Sequence, residues 1–136
     1  MTRPRVVPAT LAILAGVGCA ATGPDAAPAP ADAAPAAVVE MTQTIRFVPD
    51  TVRVLAGAIV EWRNVSTGIG HTVTLLPEAA ADASHARHPA AASPFDSGNV
   101  PPGGSWRHRF DVSGTYVYYC TPHESVGMVG VVIVSG

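Results

Sequence analysis

Three residues near the C-terminal end, Cys120, His123 and Met128, place a thiol, an imidazole and a thioether within one short segment. Two residues separate the cysteine from the histidine, and four separate the histidine from the methionine. Sulfur ligands favour Cu(I), imidazole accepts both oxidation states of copper, and a trigonal His2Cys set with a weak axial Met is typical of a blue-copper electron-transfer site. The segment lacks a second histidine, and His71, at the start of a predicted strand, is the best candidate. The sequence therefore predicts one mononuclear copper ion held by these four side chains.

The four residues belong to a longer pattern. Its segments are Gly57 to Asn64, His71 to Val73, Phe95 to Gly98, Pro102 to Gly104, Gly114 to Tyr116, Cys120 to His123 and Gly127 to Met128. The pattern resembles the cupredoxins, the blue type 1 copper proteins, and its Cys-to-Met spacing is similar to that of the plastocyanin and pseudoazurin group. The resemblance runs from about Val38 to the C-terminus. It implies an all-β fold, a Greek-key sandwich or barrel, and an electron-transfer function.

The resemblance also implies roles around the four ligands. His123 is expected at the surface, where electrons pass to redox protein partners such as a cytochrome or a copper enzyme. Its apolar rim is expected to consist of Pro122, Val126, Gly127 and Gly70. Thr72 is expected to tie the two ligand segments together, and the carbonyl of Gly70 to approach the metal from the axial side. Asn64 either supports the site or only ends a strand.

Composition limits the classes of partner. The chain has 136 residues, a formal net charge of −2 and an isoelectric point near 6.2. Nucleic acid is not an expected partner, because nucleic-acid binding normally requires a basic face. Cys19 and Cys120 are the only cysteines and lie far apart in the sequence, so no disulfide framework is expected. The protein is expected to be a monomer.

The N-terminal segment has the pattern of an export signal. Basic residues precede a mostly apolar run from Val6 to Val17, which is too short to span a bilayer. Residues 1–19 are therefore predicted to be a signal peptide, and the protein is expected in the periplasm or at the outer cell surface. Cys19 resembles the lipidated cysteine of bacterial lipoproteins, which would provide the one membrane contact. The alternative is cleavage after Ala20 or Ala21.

Residues 20–37 are rich in Ala and Pro and predict a flexible tether. Residues 38–136 are predicted to form the cupredoxin domain, because short β-branched and aromatic runs alternate there with turn residues. The predicted strands, about eight, are Val38 to Met41, Thr44 to Phe47, Thr51 to Leu55, Ala58 to Asn64, His71 to Leu76, Ser105 to Phe110, Thr115 to Cys120 and Val129 to Val134. Within the Ala-rich insertion between strands, residues 78–93, a short helix is predicted from Glu78 to Arg87 and ends before Pro89.

The remaining aromatic residues and histidines have structural interpretations. Four aromatic residues are predicted to lie in the core: Phe47, Trp62, Trp106 and Phe110. His85 and His88 are interpreted as solvated loop residues, since no third metal donor is evident near them. His108 alternates with two aromatic residues and is interpreted as a core or rim residue.

The same donor residues allow three other interpretations: a copper delivery, storage or sensing protein, a copper enzyme and a zinc site. Copper delivery, storage or sensing is the main alternative to electron transfer. A copper enzyme is not favoured, because Cys120 is flanked by Tyr119 and Thr121 rather than by a histidine leading to a second copper centre. A zinc site is not favoured either, since Met is a poor zinc ligand.

Overall fold

The computed structural model describes residues 33–136. The strands in this part of the chain are β1 (Ala37–Met41), β2 (Phe47–Val48), β3 (Thr51–Leu55), β4 (Ala58–Asn64), β5 (Thr74–Leu75), β6 (Phe95–Asp96), β7 (Ser105–Phe110), β8 (Gly114–Tyr119) and β9 (Val129–Ser135). Short 3-10 turns span Ala83–His85 and Thr121–Val126. The predicted signal peptide, Cys19 and most of the predicted tether lie outside the described residues. Within residues 33–136, no helix has the length and apolar character needed to cross a bilayer.

The strands form two sheets that pack face to face. One sheet has the order β2-β1-β4-β7, and the other has the order β3-β9-β8-β5-β6. Both are mixed, because β1 runs parallel to β4 and β3 runs parallel to β9. The all-β sandwich that was expected is therefore confirmed, with nine strands among the described residues rather than about eight.

Large aromatic side chains fill the space between the sheets. Trp62 on β4 and Tyr118 on β8 have no exposed surface, and the Trp62 indole N–H donates a 3.0 Å hydrogen bond to the Tyr118 hydroxyl. Phe47 and Phe110 are at most 3% exposed, so three of the four predicted core aromatic residues are fully buried. Trp106 is only partly buried at the margin of the core. Full burial of one such ring contributes about 1.5–3 kcal/mol.

Three predicted elements differ from the structure by more than one residue at an end. The strand predicted from Thr44 to Phe47 is only Phe47–Val48, because the preceding turn places Ile45 at a φ of 61°. The strand predicted from His71 to Leu76 shortens to Thr74–Leu75, since His71 instead pairs with Val100 in an isolated bridge. The helix predicted from Glu78 to Arg87 is wrong apart from the single 3-10 turn.

The Ala-rich insertion lies along the edge of β8 instead of forming a helix. Arg87 exchanges backbone hydrogen bonds of 3.1 and 2.8 Å with Val117, and Ala86 is 2% exposed. His85 and His88 are partly buried on this segment. His108 is also partly buried. The centroid of its ring lies 4.4 Å from that of Phe95, and the ring stacks on that of Trp106, so His108 is a rim residue.

Candidate metal centre

The loop that carries His71 is organised by Asn64, the last residue of β4. Its side-chain N–H groups donate to the carbonyls of Ile69 at 2.7 Å and Val100 at 2.9 Å. Its Oδ1 accepts from the backbone N–H of Ser66 at 3.0 Å and from the Ser66 hydroxyl at 2.6 Å. One amide that is 2% exposed thus closes residues 64–69 into a compact loop. Val100 in turn pairs with His71, with backbone bonds of 3.2 and 2.7 Å.

The imidazole of His71 is fixed by a backbone carbonyl in the connection between β1 and β2. His71 Nε2 lies 3.1 Å from the Thr42 carbonyl oxygen, which only accepts hydrogen bonds, so Nε2 carries the proton. The Nδ1 lone pair is then free to bind a metal. Burial lowers the pKa of His71, which keeps the ring neutral at neutral pH. Sequence reasoning missed Thr42, because a backbone carbonyl leaves no side-chain signal.

His71, Cys120 and His123 converge at one point. The Cys120 sulfur lies 3.3 Å from Nδ1 of His123 and 3.8 Å from Nδ1 of His71. One ligand atom from each of the three residues lies within 4.8 Å of the others. His71 and Cys120 have no exposed surface, whereas His123 is half-buried. The sandwich therefore brings together residues that are up to 52 positions apart in the sequence.

Thr72 connects the two ligand segments. Its backbone N–H points at the Cys120 sulfur at 3.3 Å, and its hydroxyl accepts a 2.8 Å bond from the Thr121 N–H. Burial raises the pKa of the Cys120 thiol, and the N–H of Thr72 opposes that shift. A positive ion between the thiol and the two imidazoles would favour the thiolate further.

Met128 is the last residue of the ligand loop, which runs from Cys120 to Met128 between β8 and β9. The Cys120 N–H donates to the Met128 carbonyl at 3.0 Å, and the Met128 N–H donates to the His123 carbonyl at 3.2 Å. The Met128 side chain is 1% exposed and packs in the same buried cluster as Cys120. Gly127 reverses the chain before it at a φ of 80°, a conformation that glycine adopts without a steric cost.

Gly70 is in close contact with Asn99. A Cβ atom at position 70 would lie 2.2 Å from the Asn99 side-chain oxygen, so a larger residue there requires the Asn99 side chain to move. The predicted axial role of the Gly70 carbonyl remains a prediction.

Glu124 is the second residue that sequence reasoning missed. It is 8% exposed, and its carboxylate accepts hydrogen bonds from the backbone N–H groups of Ala81 and Asp82 and from Nδ1 of His85. Burial alone would raise the pKa of Glu124, but these three donors outweigh it and lower the pKa. The residue looked like an ordinary acid in a polar loop, because its partners lie about 40 residues away in the sequence.

The spacing of the donor atoms fits a copper ion. Bonds of about 2.0–2.3 Å at trigonal angles place two ligand atoms about 3.5–3.8 Å apart, close to the sulfur-to-nitrogen separations of 3.3 and 3.8 Å. One thiol, two imidazoles and a neighbouring thioether form the soft and borderline set that copper prefers. The fold and this donor set thus define a β-sandwich protein with a mononuclear site of the type 1 copper kind.

Comparison with known proteins agrees with this class. Residues 34–135 match the family described as copper binding proteins of the plastocyanin/azurin family. The chain is 40% identical over 88 residues to chloroplastic plastocyanin of Tetradesmus obliquus, over 65% of this chain and 57% of that protein. It is 35% identical over 88 residues to plastocyanin of Scenedesmus fuscus, over 65% of this chain and 85% of that protein.

A solved structure agrees as well. The oxidised form of plastocyanin from Dryopteris crassirhizoma superimposes with a TM-score of 0.54 at 26% identity, over 72% of this chain and 99% of that one. The chain belongs to the plastocyanin/azurin family of copper-binding proteins, and its cofactor is one copper ion. It spans just over half the length of the Tetradesmus obliquus relative.

Proposed function

We propose that this chain is a type 1 blue-copper protein that carries single electrons between redox partners outside the cytoplasm. His71, Cys120, His123 and Met128 would hold the copper ion, with the Met128 thioether as the weakest donor. The observation that carries the proposal is the buried thiol with imidazole nitrogens 3.3 and 3.8 Å from its sulfur. Bound copper supplies a one-electron couple between Cu(II) and Cu(I).

The protein contributes rigid placement of the ligands. Fast electron transfer requires ligands that move little between the two oxidation states. The Thr42 carbonyl fixes the ring of His71, and Asn64 fixes the loop that carries it. The Thr72 N–H stabilises negative charge on the Cys120 sulfur. These contacts support a centre whose geometry is set by the fold.

The burial of the site favours electron transfer over copper delivery, storage or sensing. His71, Cys120 and Met128 are each at most 1% exposed, so an acceptor protein would have little access to the metal. We propose no catalytic role. Within residues 33–136, the group of His71, Cys120 and His123 is the one cluster of three potential metal ligands from His, Cys, Asp and Glu.

Electrons leave and enter through His123 in this proposal. Its ring is half-buried at the surface, and the neighbouring Pro122, Val126 and Gly127 are exposed, with Val126 at 67%. Gly70 completes the rim. Such a small apolar surface suits brief contact with a cytochrome or a copper enzyme, as in the small interfaces of electron-transfer complexes. The protein acts as a monomer.

The N-terminal segment supports a proposal of export to the periplasm or the outer cell surface. The mass of the mature protein purified from its native host tests this. A mass corresponding to a chain that begins with a diacylated or triacylated Cys19 would show a lipid anchor. An unmodified terminus after Ala20 or Ala21 would show ordinary cleavage, and retention of Met1 to Val17 would contradict export.

Titration with Cu(II), followed by visible absorption, tests the copper site. The wild-type protein should develop the intense thiolate-to-copper band at one equivalent. Cys120→Ser should remove the band and keep the far-UV circular dichroism of the sandwich, since the backbone of β8 is unchanged. Ser125→Ala, an exposed change in the same loop, is the matched control and should stay blue. A colourless wild-type protein, or a blue Cys120→Ser, would refute the assignment.

A further inference from the structure

Glu124 is buried in a loop whose other residues mostly face solvent. It follows His123 directly and lies in the 3-10 turn Thr121–Val126. Thr121, Pro122, Ser125 and Val126 are exposed, whereas Glu124 is 8% exposed. An ionised carboxylate is costly to bury unless hydrogen-bond donors surround it, so the partners of Glu124 indicate its role.

All three partners of Glu124 lie on the Ala-rich insertion. Oε2 accepts from the Ala81 N–H at 3.0 Å, and Oε1 accepts from the Asp82 N–H at 3.1 Å. Nδ1 of His85 lies 3.0 Å from Oε1 and must donate, because a carboxylate only accepts. One carboxylate therefore connects the ligand loop to residues 81–85.

The insertion is itself attached to the strand that leads to Cys120. Arg87 and Val117 exchange two backbone hydrogen bonds. Pro89 covers Gly114, where a Cβ atom would lie 2.4 Å from the proline ring. Residues 81–89 thus follow the edge of β8 from the ligand loop to the opposite end of the strand. Glu124 is held by a segment that is fixed to the sheet.

The ligand loop has few other contacts at its middle. The Thr72 to Thr121 contact holds its start, and the backbone bond between Cys120 and Met128 holds its end. Between these points the backbone bonds of the loop are local, such as His123 N–H to the Cys120 carbonyl at 3.0 Å. The side chain of Glu124 is the contact that ties the residue next to His123 to another element.

We propose that Glu124 is a positioning residue for His123, and that residues 81–89 act as a strap that fixes the ligand loop on β8. This inference rests on the proposed ligand role of His123. The strap limits the movement of His123 when copper changes its oxidation state. Without the strap, the affinity of the site for Cu(II) should fall more than its affinity for Cu(I), because Cu(I) tolerates lower coordination numbers.

Two variants release the strap, and one serves as the control. Glu124→Gln keeps the size of the side chain but cannot accept from all three donors. His85→Ala removes one donor from the strap side, and it stays informative if Glu124→Gln fails to fold. Glu78→Gln removes the same charge from an exposed position on the insertion and should behave like the wild-type protein.

The first measurement is amide hydrogen exchange of the full-length Cu(I)-loaded protein by NMR. Exchange at Ala81 or at Asp82 should accelerate about 10-fold or more in Glu124→Gln, because the two amides are bonded to different carboxylate oxygens and one of these becomes an NH2 group that cannot accept. The second measurement determines two quantities for each variant, the affinity for Cu(II) and the reduction potential. Loss of a positioning partner typically lowers metal affinity about 10-fold. If that loss affects only Cu(II), the potential rises by about 59 mV for a one-electron couple.

The outcomes separate this proposal from the proposed function. Faster exchange together with weaker Cu(II) binding and a higher potential supports the positioning role. Faster exchange with unchanged affinity, potential and visible spectrum would overturn it, because Glu124 would then support the fold alone. Unchanged exchange would also overturn it. A wild-type protein and a Glu78→Gln control that both fail to bind copper would refute the copper function instead.

Discussion

Asn64 is a buried amide whose four hydrogen bonds hold the loop before His71. In Asn64→Ala the carbonyls of Ile69 and Val100 each lose one of two donors, and the Ser66 N–H loses its acceptor, so the free energy of unfolding should fall by about 1–3 kcal/mol. Urea denaturation of the copper-loaded and metal-free proteins measures this. Thr67→Ala, an exposed change in the same loop, should alter it by less than about 0.5 kcal/mol. If Asn64→Ala and Thr67→Ala lower the free energy of unfolding equally, Asn64 only ends its strand.

Met128 is the proposed axial ligand, and its replacement should change the reduction potential without releasing copper. The amide oxygen of Met128→Gln is a harder donor that favours Cu(II), so the potential should fall. Met128→Leu provides no donor and should raise it. Voltammetry of the blue proteins measures both shifts. Met41→Leu is the control, because Met41 is buried in the same core and is not a proposed ligand. A loss of copper, or no shift, would contradict the axial role.

The predicted site and the structure agree where side-chain chemistry leaves a signal in the sequence. A thiol, an imidazole and a thioether at short spacing are rare enough to indicate a metal site, and a second histidine before a strand completes the set. The Thr42 carbonyl and the buried carboxylate of Glu124 leave no such signal. Both act through contacts that form only after distant parts of the chain pack together.

At the scale of elements, the long strands were predictable and the short ones were not. The predicted bounds of β3, β4 and β7 match to the residue, because alternating apolar residues fill one continuous face of the sandwich. The two-residue strands β5 and β6 are too short to show alternation. The predicted domain starts at Val38, whereas β1 begins at Ala37.

The Ala-rich insertion shows how packing overrides local preference. Alanine has the highest helix propensity, yet the predicted helix is replaced by a segment that pairs with Val117 and ends against Gly114. The short strand β5 pairs with β8 only at Tyr119, so the rest of that side of β8 offers backbone hydrogen bonds at Val117 and a buried position for Ala86. Composition alone does not show that such an edge is available.

A buried carboxylate joins strands β4 and β7 and gives the sheet a pH-dependent stability. Glu61 is 4% exposed and pairs with Arg63 and Arg107. The hydrogen bond from Arg63 lowers the pKa of Glu61 below its usual 4.5, and burial opposes that shift. The ionised pair therefore contributes its full stability above about pH 4.5. The contribution is lost as the pH falls through the lowered pKa of the folded state.

Glu61→Gln tests this contribution. At pH 7 the variant should unfold about 1–3 kcal/mol more easily, because the two guanidinium groups lose a charged acceptor. The difference from the wild-type protein should shrink as the pH falls below 4.5. Urea titrations at several pH values measure it, with Glu78→Gln as an exposed control. A difference that stays constant down to pH 3 would show that the ionised form of Glu61 is not what stabilises the sheet.

At the scale of the whole molecule, the four proposed ligands come from two connections at one end of the sandwich. His71 lies where the chain passes from β4 in one sheet to β5 in the other, and the remaining three lie between Cys120 and Met128 around the β8–β9 connection. The core cluster includes Cys120 and Met128, but most of its members are aromatic and aliphatic side chains on the strands of both sheets. The sandwich should therefore remain folded without metal.

Copper should then act as a ligand that stabilises a folded protein. Free copper at 100 times its dissociation constant adds about 2.7 kcal/mol to the free energy of unfolding, which raises the melting temperature of a domain of this size by about 10 °C or more. Calorimetry of the metal-free and copper-loaded forms measures the shift. Cys120→Ser should lose most of it and should still melt cooperatively without metal. A metal-free wild-type protein that shows no cooperative transition would contradict a fold held by its core.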